Sequence, residues 1–277
     1  SLAALLLLTG VSYWLAGFAV KPVQQAWQEQ KQFVSDASHE LKTPLASIRL
    51  MTDSILQDAS IDRETTREFV ADISDAADRL IHISQELLEL DRLDQGRDLD
   101  RRAIDLNEQA EQIGRMLAPL AESAQVTMTL TLGEGCLVRC NDKDAGQILK
   151  NLMENAIKYN VLHGQVDVTT RRVGDKVTLS VTDTGVGIPA ADLPHVFDRF
   201  YKVDKSHHSK GTGLGLAIAY EIMKHLGEEM SVTSEPGRGS CFTFTLHIAQ
   251  GKCAVLCRAA ESPGIRRRIF PVPIYVF

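Results

Sequence analysis

Three residues near the start of the chain, His39, Glu40 and Thr43, have the types and spacing needed for chemistry at an imidazole. A neutral imidazole presents one nitrogen lone pair near pH 7, and a carboxylate that accepts the hydrogen of the other nitrogen makes that lone pair more nucleophilic. Glu40 could be this carboxylate, although adjacent residues do not share a helix face and the contact depends on side-chain reach. Thr43, on the same face as His39, could hold a water molecule. His39 is therefore a candidate nucleophile, and the alternative is a histidine on a solvated helix.

A second polar set lies on one face of a predicted helix. Asn151, Asn155 and Tyr159 follow one another at intervals of four, with Lys158 beside them. Oxygen ligands suit Mg²⁺, which keeps several waters and takes few protein ligands in addition to phosphates. We therefore predict Asn155 as a metal ligand. An ordinary polar helix face would explain Lys158 and Tyr159, but it explains poorly two asparagines beside Glu154, because Asn is disfavoured inside helices.

Two glycine-rich segments could bring their backbone close to a ligand. Asp183 ends a predicted strand, and the turn after it contains Gly185, Gly187 and Ile188, although a lone turn of this kind is common. The second segment precedes a predicted helix, so its backbone N–H groups and the helix N-terminus can face phosphates. It comprises Gly211, Thr212, Gly213, Leu214 and Gly215. No strand leads directly into it, so it does not follow the Rossmann pattern.

Residues 202–210 lie between the two glycine segments and are rich in Lys, His and Ser without an apolar period. Such a segment is typical of a mobile lid over a bound ligand. Phe197, Phe200 and Tyr201 come just before it and are predicted to anchor it. The alternative, that they are core aromatics, is compatible with the same role.

Two long helices must position His39. Residues 23–57 carry apolar positions three or four apart, and Pro44 predicts a local bend after His39. A second helix repeats apolar residues in a heptad pattern at Phe69, Ile73, Ala76, Leu80, Ile83, Leu87 and Leu90. Joined by a short turn, the two helices form an antiparallel hairpin whose apolar stripe is too wide for one partner. A homodimer with a four-helix bundle would bury it, whereas a monomeric hairpin would leave it wet.

A charged linker follows the second helix and predicts a domain boundary near Leu99. Beyond it, helical patterns cover residues 106–124, 145–159 and 213–226. Strand patterns cover residues 126–132, 137–140, 165–172, 176–183, 230–234 and 241–248. This mixture predicts an α+β chain whose second domain is a two-layer α/β sandwich, large enough to fold independently.

The first twenty residues contain no charged side chain and would span about 30 Å as a helix, the thickness of a bilayer's hydrocarbon core. Lys21 and Pro22 are predicted to end this segment. We interpret residues 1–20 as a transmembrane helix rather than a signal peptide, which would begin with basic residues. The alternative is a buried helix of a soluble protein. The predicted domains are thus residues 1–20, 21–98 and 99–248, with an unassigned tail at 249–277.

The charge and the cysteines exclude other classes. A formal net charge of -6 argues against a nucleic-acid binder, which needs a basic face to neutralise phosphates. Five cysteines, an odd number, do not predict a disulfide framework and favour a reduced, cytoplasmic setting for the body of the chain. Two Cys pairs have a spacing of four, Cys136 with Cys140 and Cys253 with Cys257, but no further ligand near either completes a tetrahedral site.

The order and spacing of five motifs resemble the sensor histidine kinases of two-component systems over about residues 27–248. The motifs are residues 33–45, 151–159, 183–188, 197–201 and 211–216. The resemblance implies that the sandwich, of the histidine kinase, gyrase and chaperone type, binds ATP with Mg²⁺. The γ-phosphoryl group would pass to His39 and then to an aspartate in the receiver domain of a response regulator.

The resemblance also implies roles for single residues. Asp183 would accept the adenine amino group, Asn151 would be a second polar contact near the metal, Lys158 would contact a phosphate and Tyr159 would lie near the nucleotide. Glu40 and Thr43 fit the family's Glu-x-x-Thr pattern, which is associated with phosphatase activity toward the regulator. The implied location is the bacterial plasma membrane, with the catalytic part in the cytoplasm.

Some features depart from the family. Only a short stretch separates Pro22 from His39, so the relay domain that many members carry there is absent, and Glu228 and Glu229 stand where two glycines are frequent.

Two other functions are compatible with parts of this pattern. An ATPase of the gyrase or chaperone type would have no use for His39 in a heptad helix. A catalytically silent or phosphatase-dominant membrane scaffold remains the alternative, although an inactive member would be expected to have lost Asn155, Asp183 or the glycines.

Overall fold

The computed structural model describes residues 2–57, 61–95, 101–203, 211–249 and 266–270, with the backbone alone for residues 3–19, 22, 25 and 29. The chain forms two compact units, Ser1–Gln85 and Glu86–Phe277. The first contains the helical hairpin. The second contains the end of the second helix and the α/β sandwich.

Two long helices make up the hairpin, α1 at Leu2–Gln57 and α2 at Arg63–Asp94. The predicted end of a first helix at Lys21 and Pro22 is wrong, because α1 continues through both residues. A proline inside a helix removes one backbone donor and bends the axis, which does not require the helix to stop. The bend predicted near Pro44 stays a prediction. Asp62 caps α2, since its carboxylate accepts a hydrogen bond of 2.7 Å from the Thr65 backbone N–H.

Among the residues that the structure describes, no helix is long and apolar enough to cross a bilayer. The predicted transmembrane segment, residues 1–20, consists mostly of residues whose side chains lie outside that description.

The heptad pattern of α2 agrees with its burial. Ile83 and Leu90 are fully buried, and the other five heptad positions are partly buried. On α1 the predicted apolar stripe is less complete, because Leu45 is 59 % exposed in the single chain. The hairpin thus leaves part of its apolar surface in solvent.

The second unit has three further helices and eight strands among the described residues. The helices are α3 at Leu106–Ser123, α4 at Asp142–Lys158 and α5 at Gly215–Leu226, with a single 3₁₀ turn at Leu193–His195. The strands are β1 at Arg102–Asp105, β2 at Thr127–Leu132, β3 at Leu137–Cys140, β4 at Gln165–Val173, β5 at Lys176–Asp183, β6 at Met230–Glu235, β7 at Gly239–His247 and β8 at Arg266–Phe270.

Six of these strands form one sheet in the order β6-β7-β5-β4-β2-β8, in which only the β2–β4 pair is parallel. The strands β4, β5, β6 and β7 alternate between more and less buried side chains, as in a sheet with one face against a core. The helices α3, α4 and α5 pack beside one another and α3 and α4 contact the sheet, which makes the predicted two-layer sandwich. Asp183 is the last residue of β5, in the middle of the sheet.

Two strands were not predicted. The sequence predicts a charged linker through Arg102 and no strand before the helix at residue 106, yet Arg102–Asp105 pairs as β1 with β3 in a separate two-stranded sheet. The tail was left unassigned, yet Arg266–Phe270 joins the main sheet beside β2. Both segments are short, β8 is rich in arginine, and the strand character of both comes from pairing with distant residues.

The turn between α5 and β6, where two glycines are frequent in the family, is formed here by Gly227 and Glu228. Gly227 ends α5 in a left-handed conformation, with φ of 72°. Glu228 Oε1 then accepts a hydrogen bond of 2.8 Å from the His247 backbone N–H and lies 2.6 Å from that residue's ring Nδ1. The glutamate therefore fastens the start of β6 to the end of β7.

Candidate nucleotide site and phosphoacceptor histidine

Asp183 is a buried carboxylate at the end of β5. Its Oδ1 accepts hydrogen bonds from the backbone N–H groups of Gly185, at 2.8 Å, and Ser240, at 3.2 Å. Burial raises the pKa of the Asp183 carboxyl above its ordinary value of 3.8, and these two hydrogen bonds work in the opposite direction. Neither bond uses Oδ2, so the side chain is held in place by one oxygen while the other can accept from a ligand.

The helix α4 carries the second polar set. Asn141 caps its N-terminus, accepting from the Asp144 backbone N–H at 2.7 Å. Asn151 is buried, and its amide donates to the carbonyl oxygen of Gly215 at 2.6 Å and accepts from Gln147 at 3.1 Å. Asn151 therefore ties the middle of α4 to the first residue of α5, a positioning role that spacing alone did not indicate.

The C-terminal end of α4 presents groups of different character. Asn155 is partly buried, and its side chain has no hydrogen-bond partner among the residues that the structure describes. Lys158 pairs with Glu154 at 2.6 Å. Tyr159 is 43 % exposed, and its carbonyl oxygen accepts from the Val186 backbone N–H at 3.1 Å.

These residues fit a magnesium ion that is held mainly by nucleotide phosphates. Asn155 offers an amide oxygen with no competing partner in the described part of the chain. The same part has no cluster of three or more His, Cys, Asp or Glu side chains that could hold a metal ion by itself. Mg²⁺ commonly takes one or two protein ligands together with phosphates and water, so one asparagine is a sufficient protein contribution.

The turn after Asp183 passes close to two other segments. A Cβ on Gly185 would collide with the carbonyl oxygen of Tyr159, and one on Gly187 would collide with that of Glu235. Gly187 also has a φ of 70°, which other residues rarely adopt. The backbone N–H of Ile188 donates to Ser234 Oγ at 2.8 Å. Glycine is needed here because three stretches of backbone meet at this point.

The second glycine segment is attached to the same region. A Cβ on Gly211 would lie 3.3 Å from the Tyr159 hydroxyl oxygen, which places this segment beside the end of α4. The carbonyl oxygen of Gly213 accepts from the Phe200 backbone N–H at 2.9 Å. Thr212 is buried, and its Oγ1 accepts from the Leu214 backbone N–H at 3.2 Å. The segment leads directly into α5, whose first residue is Gly215.

The aromatic residues before the predicted lid make contacts of their own, and Phe197 packs against other aromatic rings. Phe197 stacks on Tyr220 with ring centroids 4.9 Å apart and meets Phe242 edge-on at 6.4 Å. The Tyr201 hydroxyl donates to Asp192 at 2.6 Å. The lid itself, predicted at residues 202–210, lies outside the described residues from position 204 onward.

His39 lies in the first unit, exposed on α1. Glu40 is partly buried and pairs with Arg79 of α2, with Nη2 and Oε2 3.4 Å apart. The Thr43 hydroxyl donates to the carbonyl oxygen of His39 at 3.2 Å. Arg79 was missed in the sequence, because a single arginine in an amphipathic helix gives no signal until its partner helix is known.

Other contributors to the site were missed as well. Ser240 and Ser234 support Asp183 and Ile188 from the β6–β7 hairpin, and a Cβ on Gly239 would collide with the Asp183 carbonyl oxygen. The only available signal was a glycine-containing turn between two predicted strands.

The two buried cysteines near α4 are unreactive. Burial raises the pKa of the Cys140 thiol to about 11 and also raises the pKa of the Cys136 thiol, so both remain protonated at neutral pH.

Two family models match the chain. Residues 29–96 match the His Kinase A (phospho-acceptor) domain, and residues 140–250 match the histidine kinase-, DNA gyrase B-, and HSP90-like ATPase. Among similar proteins, the sensor histidine kinase RppB of Synechocystis is 35 % identical over 242 residues, covering 86 % of this chain and 53 % of RppB. The sensor histidine kinase YkoH of Bacillus subtilis is 35 % identical, covering 83 % and 50 % of the two chains. The chain thus spans about half the length of these relatives.

Solved structures share the fold. The histidine kinase AdeS of Acinetobacter baumannii superimposes with a TM-score of 0.61 at 22 % identity, covering 76 % of this chain and 98 % of AdeS. The histidine kinase ThkA, solved in complex with the response regulator protein TrrA, gives 0.65 at 19 % identity, covering 82 % and 64 %. The helical hairpin carrying His39, the α/β sandwich carrying Asp183 and both family matches lead to one conclusion: the chain belongs to the sensor histidine kinases of bacterial two-component systems.

Proposed function

We propose that this protein transfers the γ-phosphoryl group of Mg²⁺-bound ATP to His39 and from there to an aspartate on a separate response regulator. The observation that best supports this is the meeting of four sequence motifs around Asp183, with the end of α4, both glycine segments and the aromatic anchor joined by direct contacts. A nucleotide bound in this pocket would donate its phosphoryl group to an exposed histidine, and His39 in the first unit is such a residue.

Each group has a role in the proposed transfer. Asp183 Oδ2 accepts the adenine amino group, and Tyr159 lies near the nucleotide. Lys158 and the backbone from Gly211 to Gly215 contact the phosphates, where the helix dipole of α5 also favours negative charge. Mg²⁺, held by Asn155, neutralises phosphate charge when bound. The nitrogen of His39 attacks the γ-phosphorus, the bond to the β-phosphate oxygen breaks, and ADP leaves.

The pair Glu40–Arg79 bears on the nucleophile. Glu40 can accept the hydrogen of the second imidazole nitrogen only when its carboxylate turns toward His39, and at 3.4 Å the Arg79 contact is long enough to be exchanged. Both side chains are partly exposed, Arg79 by 38 % and Glu40 by 26 %, so breaking the contact costs little.

Incubation with Mg²⁺ and γ-labelled ATP tests the proposal. We expect acid-labile, base-stable label on the wild type and none on His39→Gln. The variant should still bind ATP, because His39 lies outside the unit that contains the pocket. Nucleotide binding without label on either protein would instead favour the catalytically silent or phosphatase-dominant scaffold.

We further propose that the same protein dephosphorylates its regulator. Thr43 is exposed on the face of His39, and its hydroxyl oxygen keeps lone pairs that could accept from a water. Thr43→Ala should therefore lower the rate of phosphate release from a phosphorylated regulator by about 100-fold or more, the lower end of general catalysis by a positioned group, while leaving His39 labelling largely unchanged. Thr52→Ala, one further hydroxyl on α1, is the control, and equal release from both variants would argue against a phosphatase role for Thr43.

The proposed setting is a homodimer anchored in the bacterial plasma membrane, with the catalytic part in the cytoplasm. A second hairpin would cover the apolar residues that the single chain exposes, such as Leu45 and Leu50. Residues 1–20 would form the membrane anchor. The solved ThkA complex with TrrA is an example of a protein of this fold binding a response regulator. Analytical ultracentrifugation of the wild type and Leu45→Lys would test the dimer, with a loss of dimer expected in the variant.

A further inference from the structure

The segment Arg266–Phe270 lies beyond both family matches, the later of which ends at residue 250, and it forms the edge strand β8 of the main sheet. It pairs antiparallel with β2 over five positions, from Met128 opposite Phe270 to Leu132 opposite Arg266. Without it β2 would be the edge of the sheet, with a row of backbone N–H and carbonyl groups exposed to solvent.

One face of β8 is fitted to helix α3. Arg268 Nη2 lies 3.1 Å from Glu111 Oε2, and only 13 % of the Glu111 side chain is exposed. Two positions further on, Phe270 fills a space that exists because residue 114 is glycine. A Cβ at Gly114 would lie 3.3 Å from the Phe270 ring and 3.3 Å from the Leu130 side chain. Arg268 thus pairs with the Glu111 carboxylate, and Phe270, two residues further along the strand, packs into the space beside Gly114.

The other face of β8 has a different character. Because side chains alternate along a strand, Arg267 and Ile269 point away from α3. Both are exposed, Ile269 by 53 %; the Arg268 side chain is also 53 % exposed, so the two faces differ in their contacts with α3 and not in the exposure of these residues. The pairing of β8 with β2 therefore contains a backbone part that any extended segment could make and a side-chain part confined to Arg268 and Phe270.

We propose that the edge of β2 and the adjoining surface of α3 form a docking site for an extended segment with the pattern Arg-x-Phe, and that residues 266–270 of this chain are its intramolecular occupant. This is strand addition to a sheet edge, in which main-chain hydrogen bonds give affinity and alternate side chains give specificity. The tail is tethered to the sheet by the chain itself, so it competes strongly against any free segment. The tail thus covers the edge of β2, and β8 becomes the outer strand of the sheet.

The test uses the full chain and a fluorescein-labelled peptide with the sequence of residues 264–272. In Arg268→Ala/Phe270→Ala the tail no longer fills the site, and we expect the peptide to bind at least about tenfold more tightly than it binds the wild type. Arg267→Ala/Ile269→Ala changes the opposite face of the same strand and should bind the peptide as weakly as the wild type does. Fluorescence anisotropy measures both.

Hydrogen exchange of the β2 amides that face β8 gives a second readout, independent of the peptide. Exchange should be at least about tenfold faster in Arg268→Ala/Phe270→Ala than in the control double variant. Glu111→Ala keeps the tail sequence intact and removes its partner, so it should also speed exchange but gain no peptide binding. The proposal is overturned if the two double variants bind the peptide equally and protect β2 equally.

Discussion

At the scale of single residues, the proposed nucleotide site depends most on the side chain of Asp183. The carboxylate is buried and fixed through Oδ1 by two backbone N–H groups. Asp183→Asn keeps an oxygen for those bonds but presents an NH₂ group where the adenine amino group must donate. We expect ATP affinity to fall about 10- to 100-fold, the cost of leaving buried donors without an acceptor. Titration calorimetry checks this, with Asp167→Asn on the exposed side of β4 as the control.

The same substitution should change how stability depends on pH. Burial raises the pKa of Asp183 above 3.8, so the folded protein holds this proton more tightly than the unfolded chain. The ionised carboxylate therefore costs stability, and this cost develops as pH rises from about the ordinary value of 3.8 through the raised pKa. The free energy of unfolding of Asp183→Asn, relative to wild type, should increase across that window and then level off. An unchanged difference at all pH values would contradict this account.

Sequence reasoning predicted the residues of the proposed site one by one, but it did not predict the residues that hold them in place. Asp183, Asn155 and the glycines could be predicted because the motif restricts both type and spacing. The donor Ser240 could not, since it lies 57 positions from Asp183 and becomes its neighbour only through the pairing of β5 with β7. Asn151 was predicted as a contact near the metal, and the structure shows in addition that its amide joins α4 to α5.

At the scale of elements, an arginine in the aromatic motif fastens the end of α2 within the second unit. Arg199 makes a bidentate salt bridge with Asp94, in which Nη2 lies 2.8 Å from Oδ1 and Nη1 lies 3.1 Å from Oδ2. Its Nη2 also lies 4.0 Å from Oε1 of Glu221 in α5. The pair is partly exposed, so Arg199→Gln should lower the free energy of unfolding by only about 0.5–1 kcal/mol. It should, however, speed hydrogen exchange in the last turn of α2 several-fold.

Arg238→Gln is the matched control for Arg199, because Arg238 pairs with Glu235 at 2.8 Å in a turn and is 77 % exposed. We expect no measurable change in stability from it. If both variants exchange α2 amides at the wild-type rate, the Arg199 pair does not hold the end of that helix.

The elements differ in how well their patterns predict them. The strand β5 was predicted with its observed limits, since its apolar alternation is regular and its ends are marked. The strands β1 and β8 were missed, because segments of four and five residues are too short to show a period of their own. Their order comes from partners far away in sequence, β3 and β2. The end predicted at Pro22 was wrong, since local propensity does not decide where a long helix stops.

At the scale of the whole molecule, the proposed nucleophile and the proposed nucleotide site belong to different compact units, Ser1–Gln85 and Glu86–Phe277. The order of motifs along the chain predicted both. The fold of each unit can be predicted from its own pattern of apolar residues. The surfaces through which the hairpin would contact a second chain or a regulator carry no motif and could not be predicted. Phosphoryl transfer is therefore the property that tests the two units together.

The most direct measurement is the location of the phosphate after incubation with Mg²⁺ and ATP, by mass spectrometry of peptides kept at alkaline pH. The account predicts phosphate on His39 in the wild type and in Asp167→Asn. It predicts much less in Asp183→Asn, where nucleotide binding is impaired, and none at this position in His39→Gln, which still binds ATP. Phosphate on another residue in the wild type, or undiminished labelling in Asp183→Asn, would contradict the transfer of phosphate from this pocket to His39.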